Sequence, residues 1–477
     1  MSHLSEHFER IRRQHPDDEL CIVFDIDGTI LDIRHVAMHV LLAYDRSRGT
    51  DHFRGLVPDD ITHHEDDVDQ LLASLAVPSV ARRDVAEFYR AHLWDREAIV
   101  AASRPYEGVF GVIRWFQLQP HTHVALNTGR PHHMREDTLE SLNTIGAAYR
   151  VRFEPELLFT ADEGGDVPSH KVAAIDELER RGLRVMAVVD NEPENLRAMS
   201  AADRTGEMLF MHAVTIFRSQ RLHQDRSVAG RNYRLRELMP DRAFSGRVEF
   251  VWHGVNDEVN LGRFLGSEVR WGEIDIRRDP AGRLVLRHDG FDETPWRRDE
   301  PTLLAADAIH QIEAAGRSVK LDLKEGGSTL AEAVELLEAI GLSDERVWFN
   351  AELPVLGGLG FETLRERFPS SRISAPVDFL VPLILTSEAA TDHTLGLLRA
   401  WGISRLSLRW SPLATRFLDD FEARGWEVNL YGIPDLETFL EASLLLPTSV
   451  TADFNFPEWR YFGRGSGARG MIHRYDV

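Results

Sequence analysis

The chain has 477 residues, more than one hydrophobic core usually serves, so its length predicts two domains. With 43% hydrophobic and 28% charged residues and no apolar run long enough to span a bilayer, its composition predicts no membrane span. The formal charge of −22 argues against nucleic acid and anionic lipid as partners, because like charges repel.

The N-terminal segment, residues 1–20, is charged and lacks the apolar core of a secretion signal, so we expect a cytoplasmic protein. The single cysteine, Cys21, lies in the apolar run CIVFD, which predicts a packing role for its side chain. Neither feature bears on the oligomeric state, which the sequence leaves open.

Three apolar segments in the first half of the chain predict buried strands of a doubly wound parallel sheet. They cover residues 21–25, 123–129 and 184–190, and helical patterns lie between them. The strands end on Asp25, on Asn127 with Thr128, and on Asp190. Ligands bind at the carboxyl ends of strands in open α/β sheets, so we expect these side chains to converge.

A long helical insert separates the first two of these strands. We interpret it as a cap over residues 33–115, because a simple crossover is much shorter. The segment 208–217 is typical of a last sheet strand, and the polar stretch after it predicts a boundary near residue 243. The predicted domains are therefore residues 1–243 and 244–477.

Strand-like runs alternate with helical segments throughout the second half. The runs are 248–252, 269–276, 318–323 and 346–352, followed by four more that begin near 371, 404, 426 and 448. Eight strand–helix units in about 230 residues predict a (β/α)8 TIM barrel.

The residues at the predicted sheet edge suit phosphoryl transfer. Asp25 can attack phosphorus, while Asp27, two residues on, can protonate the leaving oxygen and later activate water. Thr128 can bind a phosphoryl oxygen, Lys171 can neutralise charge in the transition state, and Asp190 can complete a magnesium site.

The strings FDIDGT, LNTGR, HK and VVDNEPEN, in that order, closely resemble the four motifs of the haloacid dehalogenase superfamily across residues 20–217. The resemblance implies a Rossmann-like domain with a helical cap and a Mg²⁺-dependent phosphatase. It assigns Asp25 as nucleophile and metal ligand, Asp27 as acid/base and backbone metal ligand, Thr128, Gly129 and Lys171 as phosphate binders, and Asp190 as metal ligand.

Two details of these motifs refine the expectation. The family often has a second acidic residue after the position of Asp190; this chain reads NEPEN there, and we favour Asn195 as the last member of the metal shell. Asp27 argues against the dehalogenase and phosphonatase branches and favours phosphomonoester hydrolysis, with a sugar-phosphate mutase as the alternative.

A second set of polar residues lies on or just after the first three predicted barrel strands. It comprises His253, Glu273, Asp275, His288, Asp289, Lys320, Asp322 and Lys324. Carboxylates of this kind can hold a divalent cation, and two imidazoles flanking a phosphodiester can act as base and acid. This pattern indicates phosphodiester cleavage.

The strings WHGVN, GEIDI and KLDLK resemble the glycerophosphodiester phosphodiesterase group of phospholipase C-like barrels, and more closely the menorin family. The resemblance implies catalytic histidines, His253 and His288, a Mg²⁺ or Ca²⁺ site of Glu273, Asp275 and Asp322, and a phosphate-binding Lys324. It also matches TSVTADF, with Asp453, to the last barrel strand. Two positions depart from the diesterase pattern, Gly254 in place of Arg and Asp322 in place of Glu.

These observations together predict a bifunctional phosphoester hydrolase for small molecules. A diesterase leaves a monoester, which is what the first domain would hydrolyse, so the two sites are expected to act in sequence. The alternative is a single phosphatase or mutase whose barrel binds a ligand or partner without catalysis.

Overall fold

The computed structural model describes residues 1–162, 164–222, 226–239, 247–296, 300, 302–412 and 414–452. It divides the chain into two units, Met1–Met239 and Pro240–Val477. The predicted boundary near residue 243 and the predicted strand residue Asp453 lie outside the described residues. Within the described part, no helix has the length and apolar character needed to cross a membrane.

The first unit is built on one parallel six-stranded sheet. Its strands are β1 (Leu20–Phe24), β2 (Thr122–Pro131), β3 (Leu158–Ala161), β4 (Arg184–Asp190), β5 (Leu209–Ala213) and β6 (Ser227–Gly230), in the order β3-β2-β1-β4-β5-β6. All five residues of β1 are buried, which fits an apolar strand at the centre of a parallel sheet. The predicted doubly wound α/β fold is confirmed.

The predicted last strand, 208–217, was wrong in two respects. The strand β5 ends at Ala213, and β6 then adds a further strand at the sheet edge. Because β6 is four residues long, Ser-Val-Ala-Gly, and none of it is buried, it lacks the apolar pattern that marks a strand in sequence.

Ten helices accompany this sheet in the described residues. They are α1 (Ser2–Gln14), α2 (Arg34–Arg48), α3 (Val68–Ser74), α4 (Ser79–His92), α5 (Arg96–Ala102), α6 (Val109–Gln117), α7 (Arg135–Gly146), α8 (Val167–Arg180), α9 (Pro193–Ala202) and α10 (Leu235–Leu238). Helices α2 to α5 share a hydrophobic cluster that includes Val40, Leu71 and Val85. The insert therefore folds as a helical cap.

The second unit is a closed parallel barrel, as predicted. Its eight barrel strands are β7 (Glu249–Trp252), β8 (Trp271–Arg278), β10 (Ser318–Leu323), β11 (Val347–Asn350), β12 (Arg372–Pro376), β13 (Arg405–Arg409), β14 (Glu427–Ile433) and β15 (Ser449–Ala452); β9 (Leu284–Leu286) pairs antiparallel with β8. Pairings β15–β7 and β10–β8 close the ring.

Eight helices connect these strands in the described residues. They are α11 (Glu258–Gly266), α12 (Ala305–Ala314), α13 (Ser328–Ile340), α14 (Leu353–Arg367), α15 (Val381–Thr386), α16 (Glu388–Ala400), α17 (Ala414–Ala423) and α18 (Leu436–Leu444). Their apolar faces bury Leu337, Phe361 and Leu418, among others. These helices thus bury their apolar faces within the second unit.

Polar side chains fill much of the barrel interior. Near the amino ends of the strands, Arg405 pairs with Glu249 and Glu427, each at 2.8 Å, and stacks over the ring of Trp348. One layer higher, Asn429 accepts hydrogen bonds from Ser449 at 2.9 Å and from Thr451 at 3.0 Å. Because these interior groups satisfy one another, the barrel tolerates a polar core.

Candidate functional site

In the first unit, the ends of β1 and β4 meet the amine of Lys171, which lies on α8. The Nζ of Lys171 is 2.6 Å from Oδ1 of Asp25 and 3.0 Å from Oδ2 of Asp190. It also donates to the main-chain oxygen of Asn127 on β2 at 2.5 Å. The structure therefore brings together residues from three strands and a helix that the sequence analysis expected to converge.

The other carboxylate oxygen of Asp25 is held by residues that the sequence analysis assigned no role. Thr29 donates its hydroxyl to Oδ2 of Asp25 at 3.0 Å. With its amide nitrogen turned toward Asp25, Asn191 donates to the same oxygen at 3.2 Å and to the main-chain oxygen of Asp27 at 3.1 Å. Gly28 has φ of +81°, and a Cβ there would lie 2.4 Å from the Asn191 side chain, so glycine is required at this turn.

Asp190 is positioned by the loop that follows β4. Its Oδ1 accepts a hydrogen bond from the main-chain nitrogen of Glu192 at 2.7 Å. The side-chain nitrogen of Asn195 lies 3.3 Å from both oxygens of Asp190. Asn195, expected in a metal shell, thus contacts the predicted ligand Asp190 directly.

The charges of this site are unbalanced. Asp25, Asp190 and Lys171 are 7%, 1% and 1% exposed, and one amine serves two buried carboxylates. Burial raises the pKa of Asp25 to about 7; the charge of Lys171 opposes this shift and that of Asp190 adds to it. Paired carboxylate oxygens with excess negative charge are the donor set that suits a hard divalent cation, so these residues fit Mg²⁺.

Arg130 forms an ion pair with Asp27, the second aspartate of the FDIDGT string. Its Nε and Nη2 donate to Oδ2 and Oδ1 of Asp27 at 2.6 and 2.7 Å, and its Nη1 donates to Thr138. The guanidinium is nearly inaccessible and lies over the ring of Trp94. The LNTGR string contains Arg130, but no sequence rule joins it to a carboxylate 103 positions earlier.

We expect Arg130→Met to lower the free energy of unfolding by about 3 kcal/mol, because it leaves Asp27 without its partner in a largely buried setting. Urea denaturation of the full chain measures this loss. Adding Asp27→Asn to Arg130→Met removes the unpaired charge, so the double variant is expected to recover at least half of the loss. An equal loss in both variants would contradict the pairing.

A cavity of about 210 Å³ lies at this edge of the sheet. Asp25, Asp27, Thr128, Gly129, Lys171 and Asn195 line it, together with the cap residues His64, Glu65, Asp66 and Trp94. The predicted phosphate binders thus face one space. Burial raises the pKa of Glu65 to about 8, and the charge of Asp27 adds to this shift.

In the second unit, a cavity of about 570 Å³ opens at the carboxyl ends of the barrel strands. His253, Glu273, His288, Asp322 and Lys324 line it. All five are predicted site residues, and the structure places them around the same space. Asp275, on the interior face of β8, is 1% exposed and contacts Lys324.

Two lysines pair with the three predicted metal ligands of the barrel. The Nζ of Lys324 is 3.0 Å from Oδ1 of Asp275 and 2.5 Å from Oδ2 of Asp322. Lys320, whose amine lies over the Trp348 ring, is 3.2 Å from Oε2 of Glu273. Among the described residues, no three His, Cys, Asp or Glu side chains are gathered as a metal site.

These ion pairs set the charge state of the barrel carboxylates. Burial would raise the pKa of Asp275, but the charge of Lys324 and a hydrogen bond from Asn256 hold it below its usual value. Burial would lower the pKa of Lys324, but Asp322 and Asp275 raise it above its usual value. Asp275 is therefore ionised and Lys324 charged at neutral pH.

The two barrel histidines differ in exposure. The side chain of His288 is 63% exposed, and its Nδ1 lies 2.8 Å from Oδ1 of Asp289. His253 is half-buried, and its main-chain nitrogen donates to Ala452 at 3.0 Å. Asp289 can fix the tautomer of His288, leaving Nε2 for proton transfer.

The amides that orient the barrel carboxylates were not predicted from the sequence. Asn256 donates its side-chain nitrogen to Asp275 at 2.5 Å, and Asn350 donates to Asp322 at 2.9 Å. Asn256 stands in the WHGVN string, and Asn350 ends β11, where a polar residue follows three apolar ones. The position of Asn350 at a strand end was a signal for it, whereas Asn256 lies four residues beyond the end of β7.

One protein-family model, that of haloacid dehalogenase-like hydrolases, matches residues 20–203. No curated protein matches the chain significantly. Among solved structures, it is similar to a glycerophosphodiester phosphodiesterase from Parabacteroides distasonis, with 13% identity over 43% of this chain and 93% of that one and a TM-score of 0.34. An Oleispira antarctica phosphodiesterase, solved with sn-glycerol-3-phosphate, shows 17% identity, coverage of 44% and 94%, and a TM-score of 0.36.

A haloacid dehalogenase-superfamily hydrolase of subfamily IA from Geobacter sulfurreducens is similar at 12% identity, over 45% of this chain and 92% of that one, with a TM-score of 0.31. The family match covers β1, β2 and β4, which carry Asp25, Thr128 and Asp190. Residues 20–203 therefore match the haloacid dehalogenase-like hydrolase model, in a chain whose second unit is a closed eight-stranded barrel.

Proposed function

We propose that the first unit is a Mg²⁺-dependent phosphomonoesterase that works through an aspartyl-phosphate on Asp25. The observation that carries this proposal is the amine of Lys171 between Asp25 and Asp190, at 2.6 and 3.0 Å, beside a small cavity. A carboxylate nucleophile next to a fixed cation can attack a phosphoryl group whose negative charge is neutralised in place.

Each residue of the site has a separate role in the proposed reaction. Asp25 attacks phosphorus, while Lys171 and Thr128 bind the phosphoryl oxygens. Asp25, Asp190 and the main chain of Asp27 would hold Mg²⁺, which would supply further charge neutralisation. Asp27 protonates the leaving alcohol and then, as a carboxylate, deprotonates the water that hydrolyses the intermediate.

Arg130 affects both roles of Asp27. Its two charge-assisted hydrogen bonds hold the Asp27 carboxyl at the cavity, where the water-activating step takes place. To donate a proton in the first step, Asp27 must loosen from Arg130 and turn to the substrate. Both side chains line the cavity, so this exchange of partners needs no large movement.

Phosphate release from a panel of monoesters tests the proposal. With Mg²⁺, the wild-type chain is expected to hydrolyse at least one small monoester, and excess EDTA is expected to remove more than about 95% of that activity, since metal charge neutralisation contributes several kcal/mol. Re-adding Mg²⁺ is the control. An isomerised sugar phosphate without free phosphate would instead indicate a mutase.

We propose that the barrel cleaves small phosphodiesters. The supporting observation is that His253, His288, Lys324, Glu273 and Asp322 line one cavity of about 570 Å³, and that Asp275 pairs with Lys324. One histidine deprotonates the attacking oxygen, the other protonates the departing alcohol, and Lys324 binds the phosphate. Glu273, Asp275 and Asp322 would hold a divalent cation, Mg²⁺ or Ca²⁺, which would supply further charge neutralisation.

The second candidate function for this unit is binding without catalysis. The observation in its favour is that Lys324 and Lys320 already pair with all three carboxylates expected to hold metal. In that case the same cavity would recognise a phosphorylated ligand and leave it intact. Diester cleavage by the full chain separates the two candidates.

A further inference from the structure

The cap contributes a carboxyl group to the catalytic cavity of the first unit. Glu65 precedes α3 and lines the cavity with its neighbours His64 and Asp66. Its side chain is 14% exposed, and among the described residues its one ion pair is with His64, at 3.5 Å. Glu65 therefore faces the space that the alcohol part of a monoester would fill.

The charges in this cavity separate into two regions. At the sheet edge, Lys171 pairs with Asp25 and Asp190, and Arg130 pairs with Asp27. The phosphate of a substrate belongs there, because the cations are there. The part lined by Glu65, Asp66 and Glu192 is acidic, and His64 is its basic side chain among the described lining residues.

The walls around Glu65 are partly apolar. Trp94, Ile216 and Phe217 line the same cavity, and Phe217 lies against the ring of His64. Apolar walls lower the local dielectric and strengthen any charge interaction with a ligand. A buried carboxyl with one weak partner is costly unless a ligand supplies the opposite charge.

The neighbours of Glu65 also determine the sign of the charge that a ligand group can carry at this position. A protonated glutamic acid can donate to an anionic group, but Asp66, Glu192 and Asp27 would repel such a group here. A cationic group meets attraction from the same residues. The cavity volume, about 210 Å³, is below the roughly 300 Å³ at which pockets for drug-sized ligands begin, so the alcohol is small.

We propose that Glu65 selects small phosphomonoesters whose alcohol part carries an ammonium group. This inference rests on the proposed phosphomonoesterase activity and assigns its substrate class. Glu65 acts as a specificity-determining residue, while the phosphoryl chemistry stays with the residues at the sheet edge.

Three two-carbon monoesters of similar size test the inference: ethanolamine phosphate, ethylene glycol phosphate and phosphoglycolate. They differ at the far end, which is ammonium, hydroxyl or carboxylate. We expect kcat/KM of the full-length wild type to fall by at least about tenfold at each step of that series, as charge complementarity decides specificity. p-Nitrophenyl phosphate reports phosphatase activity independently of this preference.

In Glu65→Gln, the ratio of kcat/KM for the ammonium ester to that for the hydroxyl ester is expected to fall at least about fivefold. Glu87→Gln is the matched control: it makes the same substitution at an exposed position on α4, so the ratio should not change. Thermal unfolding of both variants checks that each is folded.

The possible results distinguish a failure of the proposed substrate class from a failure of the proposed phosphatase activity. Hydrolysis of p-nitrophenyl phosphate with a carboxylate preference, or with no preference, would overturn the substrate class and leave the phosphatase intact. An unchanged ratio in a folded Glu65→Gln would remove the role of Glu65. Absence of hydrolysis of all four esters with Mg²⁺ would overturn the phosphatase itself.

Discussion

Replacing Asp25 with asparagine is expected to lower kcat for monoester hydrolysis by at least about 10⁴-fold, since the amide cannot form the covalent intermediate. The chain should still bind its substrate, because Thr128 and Lys171 remain in the cavity. Phosphate release at saturating substrate and Mg²⁺ measures the loss. Asp17→Asn, an exposed substitution of the same chemistry, serves as the control and should keep wild-type activity.

The fold should tolerate this change. In the metal-free protein the pKa of Asp25 is raised to about 7, so the folded state binds the proton more tightly than the unfolded chain does. Between about pH 4 and 7 the contribution of Asp25 to stability therefore falls as pH rises. Asp25→Asn removes the unfavourable free energy of ionising this buried carboxyl. In EDTA at pH 8, the Tm of the variant should therefore equal or exceed that of the wild type. A large drop in Tm would mean that Asp25 holds the fold.

The same variant tests sequential use of the two sites. If the barrel produces a monoester that the first unit consumes, the wild type releases free phosphate from a diester. Asp25→Asn should then cleave the diester at the wild-type rate and accumulate the monoester without free phosphate. Free phosphate at the wild-type rate from Asp25→Asn would exclude the sequential scheme.

The convergence of Asp25, Asn127 and Asp190 could be predicted from sequence because the carboxyl ends of parallel strands meet at one edge of the sheet. Asp25 and Asp190 end neighbouring strands, and their convergence follows once the strands are recognised. The partners of these residues were not predictable in this way. The contact between Arg130 and Asp27, and the place of Glu65 in the cavity, depend on how loops and cap pack, which leaves no periodic signal in the chain.

The barrel was predictable for a related reason, although its interior was not. Strand β13 alternates Leu406 and Leu408 with Ser407, and each run of this kind marks a strand. This alternation does not indicate which face of the strand points into the barrel. In this barrel the polar face points inward, where Ser407 and Asn429 interact, and the leucines face the helices. The polar interior is what places Lys320 and Glu273 in contact.

Replacing both barrel histidines, His253→Ala with His288→Ala, is expected to lower kcat for diester cleavage by at least about 10³-fold, since general acid–base catalysis contributes 10²–10⁴-fold. Monoester hydrolysis should be unchanged, because Asp25 and Lys171 lie in the other unit. Release of the alcohol from a small glycerophosphodiester measures the first activity, and phosphate release from a monoester measures the second.

The single variants and a control test the role of each histidine separately. His253 is half-buried at the end of β7 and His288 is exposed beside Asp289, so each alone should lower kcat, and their pH–rate profiles should lose opposite limbs if one is base and the other acid. His310→Ala, at an exposed position on α12, should leave diester cleavage intact. Wild-type diester cleavage that survives in the double variant would place the chemistry elsewhere in the cavity. A wild-type chain that binds a diester without cleaving it would favour the non-catalytic barrel, in which Lys324 and Lys320 keep the carboxylates paired.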